Sequence, residues 1–352
     1  MDNTVKRILM IFLIVLIFSL LKELSTILIP LALAFIIASI FYPIVNLFSK
    51  RKASRILVLP TVAIITVIIV FLLGQVIYQA INEIIQQQDY FITSLNDKIK
   101  QVIGFINSII YGTFGTKIKF TSLAALLNKD TFNWLASILT ASIGPTTGAF
   151  VMFILYYIVI LIGMTGSKEY LSYVAGGNNS MNIVKSFETI QKSIASYIAL
   201  KTLINLAVGI LVTVICILFG VNFAYLFGLL TFLLFYIPTI GSIVAPIFPT
   251  LMAIIQFNSF EKIFFFLLII IVVQAIIANI IEPVIMGNRL RLNTLTVIFG
   301  LVFWGYIWGI PGMMLAVPLL VVFKLVFEQI DSLAFISRVM GSPEKIKKKK
   351  TD

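Results

Sequence analysis

Lone ionisable and amide side chains inside long apolar runs are the groups of this sequence that could do chemistry. Glu282 is the strongest of them, because a charge at membrane depth costs about 3 kcal/mol on insertion scales and is functional by default. Gln274, Ala278 and Glu282 form an i, i+4, i+8 row on a helix, and Asn279 sits one turn before Glu282. Such a row would present amide and carboxylate groups to a cavity. Pro283 is expected to end that helix and release carbonyls that could coordinate a monovalent cation or a hydroxyl-rich solute. The competing reading makes Glu282 an interfacial residue that pairs with Arg289 or Arg291 and fixes a loop. Lys201, alone among apolar residues with Thr202 and Asn205 nearby, is the second candidate. Two readings stay open for it: snorkelling to an interface, or pairing with a mobile carboxylate.

The breaks in two long apolar segments are the next candidates. FYIPTIGSIVAPIFP interrupts Val221 to Phe257, and GIPGMMLAVP interrupts Leu295 to Phe327. As straight helices these segments would reach roughly 50 Å or more, beyond the roughly 30 Å of a hydrocarbon core. Each is either a kinked span or a hairpin of two half-helices. The turn between them carries Arg289 and Arg291, and short basic loops belong on the cytoplasmic side, which favours hairpins. Pro238, Gly241, Pro311 and Gly312 would then lie at breaks whose half-helix ends offer partial charges to a solute. Asn222, Gly228 and Ile237–Pro238 find rough counterparts in Asn293, Gly300 and Ile310–Pro311, as an internal repeat would give. Trp304, Tyr306 and Trp308 read as an interfacial aromatic belt.

These groups need a membrane-embedded helical frame. Hydrophobic residues make up 60% of the 352-residue chain and charged residues only 11%, against roughly 25% charged in ordinary soluble domains. The net charge of +12 sits in short clusters beside apolar runs and in the tail KIKKKK, as expected of flanks facing anionic lipid rather than of a nucleic-acid surface. With no histidine, and Cys216 as the single cysteine, disulfides, common zinc sites and Cys/His nucleophile pairs are excluded. No GxSxG elbow or phosphate-binding GxxxxGK[ST] loop is present, so an enzyme reading has no residues to rest on and no cofactor is expected.

The fold class read from this pattern is an all-α integral membrane protein with about eight embedded segments. Residues 1–80 hold three N-terminal segments. The first, Ile8 to Leu21, follows Lys6 and Arg7 as a signal peptide would, but lacks a small-residue cleavage site. Residues 81–142 read as an extracellular insertion, whose apolar residues from Ile81 to Ile110 recur at helical spacing. Residues 143–335 hold five further segments, including the two broken ones, and residues 336–352 form a basic cytoplasmic tail. Both termini are expected on the cytoplasmic side of a prokaryotic cytoplasmic membrane.

YIALKTLINLAVG, then FGVNFAYLFGLLTFLLFYIPTIGSIVAPIFP, EPVIMGNRLRLNTLTV and WGIPGMMLAVPLLVVFK resemble the C-terminal signature of the autoinducer-2 exporter family over about residues 194–330. The resemblance implies an integral permease. Some members are linked to export of autoinducer-2 and others to sodium/proton antiport. It further implies a homo-oligomer, a pentamer, and an elevator-like motion of the C-terminal part. The functional reading is export of a small polar solute, with sodium(lithium)/proton antiport as the alternative. From a different class, the chain would be a structural or regulatory membrane subunit whose amphipathic helix recruits a partner.

Overall fold

The computed structural model describes residues 3–48, 52–114, 146–175, 180–286, 292–330 and 332–341, and these are helical almost throughout. In lipid every backbone polar group must be satisfied within the chain, and a run of apolar residues does so as a helix. The first helices are α1 (Asn3–Glu23), α2 (Ser25–Phe48), α3 (Lys52–Gln86) and α4 (Gln88–Phe114). They are followed by α5 (Thr146–Ala175) and the unbroken α6 (Ser180–Phe219). Among the described residues six helices are long and apolar enough to cross a membrane. The shorter apolar helix within α5 and the first broken segment bring the embedded segments to the expected number.

Both broken segments fold back on themselves. The first comprises α7 (Ala224–Leu234), α8 (Ile240–Val244) and α9 (Ile247–Gln256). Its two ends meet where the Asn222 amide donates to Gln256 Oε1 at 2.8 Å. Thr239, at φ 65°, makes the reversal, and Gly241 then presses on the Leu234 carbonyl so closely that a Cβ would overlap it. At the bend before α9 the Pro246 carbonyl accepts twice from Thr250, from its amide at 3.2 Å and from Oγ1 at 2.7 Å.

After α10 (Phe260–Ile276), a wide π-helical turn over Ile277–Ile281 leads without a stop into α11 (Glu282–Met286). The second broken segment, α12 (Thr294–Glu328), reverses at Gly309 (φ 65°, ψ −144°), a conformation that favours glycine. Gly300 faces Leu320, and a Cβ at Gly305 would stand 2.8 Å from Met313 Cγ, so the two arms run side by side. The last helix, α13 (Ala334–Met340), crosses the position taken as the start of the tail and closes the base of this hairpin. The Asn293 amide donates to the Met340 carbonyl at 3.0 Å, and Asn293 Nδ2 to the Val339 carbonyl at 2.6 Å.

The structural repeat differs in register from the one read in the sequence. Ile237–Pro238 precedes the positive-φ residue Thr239, whereas Ile310–Pro311 follows the positive-φ residue Gly309. Thr239 and Gly309 play the same part in the two segments, and so do Gly241 and Gly312, two and three residues further on, where added Cβ atoms would strike the Leu234 and Trp304 carbonyls. A reversal is defined by backbone dihedrals and close approach, and the Ile–Pro pairs satisfy neither in common.

Two apolar cores result. In one, Ala34 and Ala38 of α2, both fully buried, let α5 approach closely at Tyr157 and Leu161, with Val62 of α3 beside them. Thr66 Oγ1 and Tyr157 Oη lie 2.6 Å apart and join α3 to α5. The other core gathers α6 and both hairpins around Val208, Val212, Phe266, Ile270 and Leu315. Within it α6 and α7 cross at Gly209 and Gly228, where an added Cβ at Gly209 would be 2.8 Å from the Gly228 carbonyl oxygen. Exposed apolar residues such as Ile64, Phe71, Val159, Leu203, Phe265 and Val302 face outward, as lipid requires.

The amphipathic pattern from Ile81 continues α3 to Gln86 and then forms α4; residues 115–145 lie outside those described. One face of α4 packs on the first hairpin. Phe91 is buried against Phe223, and Lys98 Nζ donates to the Phe257 carbonyl and to Asn258 Oδ1, both at 2.8 Å.

Candidate transport site

Lys201 lies on α6, in register with Tyr197 and Asn205 at intervals of four, so all three share a face. That face is buried: Lys201 is 2% exposed, Tyr197 4% and Asn205 not at all. Lys201 Nζ donates to Glu282 Oε1 of α11 at 2.5 Å, with the Glu282 side chain a quarter exposed (25%). Of the two readings of Lys201, the structure has the pairing with a carboxylate. The partner of Glu282 among the described residues is therefore this lysine; Arg289 and Arg291 lie outside those residues. A buried ion pair gains little net stability, but removing either partner strands a charge.

The helix does not stop at Pro283. The wide turn over Ile277–Ile281 absorbs one extra residue just before the proline, which then sits in the first turn of α11, where a missing N–H and a fixed φ are tolerated. The same turn rearranges the expected row. Gln274 is 1% exposed, and neither its Oε1 nor its Nε2 has a hydrogen-bond partner among the described residues. Asn279 is exposed and donates to the Ala275 carbonyl of its own helix at 3.0 Å. Glu282 alone of the row reaches a second helix as an ion-pair partner.

A cavity of about 290 Å³ lies beside Lys201. Its walls come from α2 and α3 on one side, including Ile36, Phe41 and Thr66, and from α6 and the two hairpins on the other, including Phe232, Tyr236, Met314 and Pro318. The surface is apolar with a few polar groups: Thr66, Tyr197, Lys201, Thr202 and Tyr236. That pattern, an apolar pocket with a small set of placed polar groups, is the usual form of a small-molecule site. Gln274, Asn279 and Glu282 do not line it, nor do Pro238, Gly241, Pro311 and Gly312, which shape the two reversals instead.

Tyr236, at the first reversal, and Thr66 of α3 are polar wall residues that sequence reasoning missed. For Tyr236 the contacts reach α6. Its Oη lies 2.6 Å from Thr202 Oγ1. With the Asn205 amide oriented to satisfy both ends, Nδ2 donates to the Lys201 carbonyl and Oδ1 accepts from the Tyr236 amide, each at 3.2 Å. The first reversal is thereby pinned to α6 at the level of the ion pair. The signal available in the sequence was the four-residue spacing Tyr197, Lys201, Asn205; nothing local ties Tyr236 to it. The aromatic belt also needs correction. Tyr306 is exposed, but Trp304 and Trp308 are buried at 4% and 8%, because they pack inward against one another and against Phe323. Among the described residues no group of three Cys, Asp or Glu side chains converges to hold a metal.

A model of the AI-2E family transporter matches residues 8–332. The chain belongs to the AI-2E transporter family. Relatives of similar length include the AI-2 transport protein TqsA of Escherichia coli (strain K12), 28% identical over 331 residues that cover 93% of each chain. YhhT of the same strain is 28% identical over 309 residues, 86% of this chain and 85% of its own. YueF of Bacillus subtilis (strain 168) is 26% identical over 327 residues, 86% of this chain and 84% of its own. As an AI-2E transporter the chain is a multi-pass membrane protein with a transport role, and its cavity and paired charges fall within residues 8–332, which the family model matches.

Proposed function

We propose that this AI-2E transporter exports a small polar solute across the cytoplasmic membrane, with the cavity beside Lys201 as the solute site. The observation that carries the reading is the position of that cavity between two differently packed bodies. The core of α2, α3 and α5 bounds one side, and α6 with the two hairpins bounds the other. Sliding the hairpin-bearing body against the first would carry the solute between membrane faces, an elevator-like motion. Lys201 and Glu282 move together in this scheme, so the moving body carries no uncompensated charge at that level. Tyr236, Thr202 and Thr66 supply hydroxyl groups to the solute, and the site calls for neutral or weakly charged molecules.

Because TqsA is named as an AI-2 transport protein, autoinducer-2 is the first solute to test. The experiment is efflux of labelled autoinducer-2 from proteoliposomes holding the purified protein, with Tyr236→Phe and Thr66→Val as variants. Efflux by the wild type that drops in both variants supports the reading; wild-type efflux no faster than from empty liposomes sinks it for this solute.

The ion pair favours a second reading, sodium or lithium/proton antiport, in which a cation displaces the lysine from Glu282 and a proton neutralises the carboxylate on return. A sodium or lithium pulse to sealed vesicles would then move protons in the wild type and not in Glu282→Gln. A silent wild type removes this reading. We also propose a homo-oligomer, a pentamer, with both termini cytoplasmic, which native mass spectrometry and terminal labelling would test.

A further inference from the structure

A second cavity, of about 440 Å³, lies between the bend joining α1 to α2 and the second hairpin. Leu21, Leu28, Phe35, Trp304, Trp308 and Phe323 define it, and no charged, hydroxyl or amide side chain lines its wall. Water has no partner in such a space, and a half-open apolar hollow left unfilled forfeits contacts along its lining. At the end of α1 the wall is held by one polar bond: Trp308 Nε1 donates to the Leu21 carbonyl, a last-turn group of α1, at 2.9 Å. Next to Leu21 is Lys22, exposed, with its Nζ 4.8 Å from the centre of the Tyr306 ring. Lys22 has no carboxylate within salt-bridge distance among the described residues. An apolar chamber at membrane depth with a cation beside its wall has the chemistry of a lipid: hydrocarbon inside, phosphate at the rim.

We infer that this cavity is a phospholipid site, with an acyl chain between the two indoles and Phe35 and the headgroup phosphate on Lys22. Glu23, exposed at the next position, favours a headgroup that also carries an ammonium, as ethanolamine does. The bound chain fills the space that separates the second hairpin from α1 and α2, so the lipid is a packing component of that interface. The inference rests on the membrane location alone and is independent of which solute is moved.

Indole fluorescence tests it. The chain has three tryptophans, and replacing Trp134, which lies outside the described residues, with Phe leaves only Trp304 and Trp308, both in the cavity wall. The Trp134→Phe protein is reconstituted with phosphatidylethanolamine brominated on its acyl chains at low mole fraction, or with the unbrominated lipid. Loss of emission in the brominated vesicles is expected. Ala32→Phe, which fills the cavity from α2, should restore the emission, and Leu319→Phe does the same from the hairpin side should the first variant fail to fold. Lys22→Gln should shift quenching to higher mole fractions. Equal emission in the two lipids overturns the inference. So does a loss that neither filling variant reverses, since that marks ordinary contact with bulk lipid, and so does quenching indifferent to Lys22→Gln, which removes the phosphate contact.

Discussion

Lys201 Nζ and Glu282 Oε1 lie 2.5 Å apart across 81 residues of sequence, and the lysine is the more deeply buried of the two, at 3% side-chain exposure against 25%. The inequality has an energetic consequence. Glu282→Gln strands a buried ammonium and should destabilise by about 3–5 kcal/mol, whereas Lys201→Met leaves a carboxylate that still reaches solvent or headgroups and should cost clearly less. The double variant should recover most of the loss. Thermal unfolding in detergent across the four proteins measures the coupling, and a Glu282→Gln protein as stable as the wild type would refute the asymmetry.

The fold-back of α12 brings Gly305 and Met313 together, since a Cβ at Gly305 would lie 2.8 Å from Met313 Cγ. In a Cys216→Ala background, Gly305→Cys with Met313→Cys should form a disulfide on mild oxidation, because the Cβ atoms come within the roughly 3.5–4.5 Å that the bond needs. Thiol labelling after oxidation reads the result. Two labelled thiols per chain would mean that the arms are not adjacent.

Glycines at close approaches should be separable from glycines in open helix. Gly228→Ala and Gly241→Ala meet Thr213 Oγ1 and the Leu234 carbonyl, and overpacking of this kind costs about 1–3 kcal/mol. Gly74→Ala and Gly163→Ala meet nothing and should be neutral or stabilising by about 0.5–1 kcal/mol. Gly309→Ala also meets nothing, yet its positive φ should cost about 1–3 kcal/mol. Melting temperatures of the five variants would sort them, and a Gly309→Ala protein as stable as Gly74→Ala would speak against the reversal.

Lys98 joins α4 to the end of the first hairpin through two hydrogen bonds of 2.8 Å. A bond to a charged donor contributes about 1.5–3 kcal/mol, so Lys98→Met should speed amide exchange in α4 and around Phe257 while leaving α5 unchanged. Hydrogen-exchange mass spectrometry gives the answer. Unchanged protection across α4 would mean that its apolar contacts alone hold it.

Much of the architecture was legible from composition and periodicity, because in lipid an apolar run has no alternative to a helix and a proline–glycine break must be hidden. The unbroken α6, the two broken segments and their basic connecting turn follow from that rule alone, and so does the candidacy of Glu282 and Lys201 as ionisable groups at depth. The family signature over the C-terminal part was legible too. Tertiary structure decided which of two open readings held. Hairpins rather than kinks emerged from positive φ at Thr239 and Gly309 and from contacts between arms, and no local pattern encodes a contact ten or twenty residues away. The Lys201–Glu282 pair, the Tyr236–Thr202 contact and the inward Trp304 and Trp308 are likewise properties of how helices rotate against each other. That rotation is set by packing and, beyond α10, by one extra residue in the wide turn over Ile277–Ile281; Asn279 in that turn is exposed, and Gln274 before it is buried with no hydrogen-bond partner among the described residues.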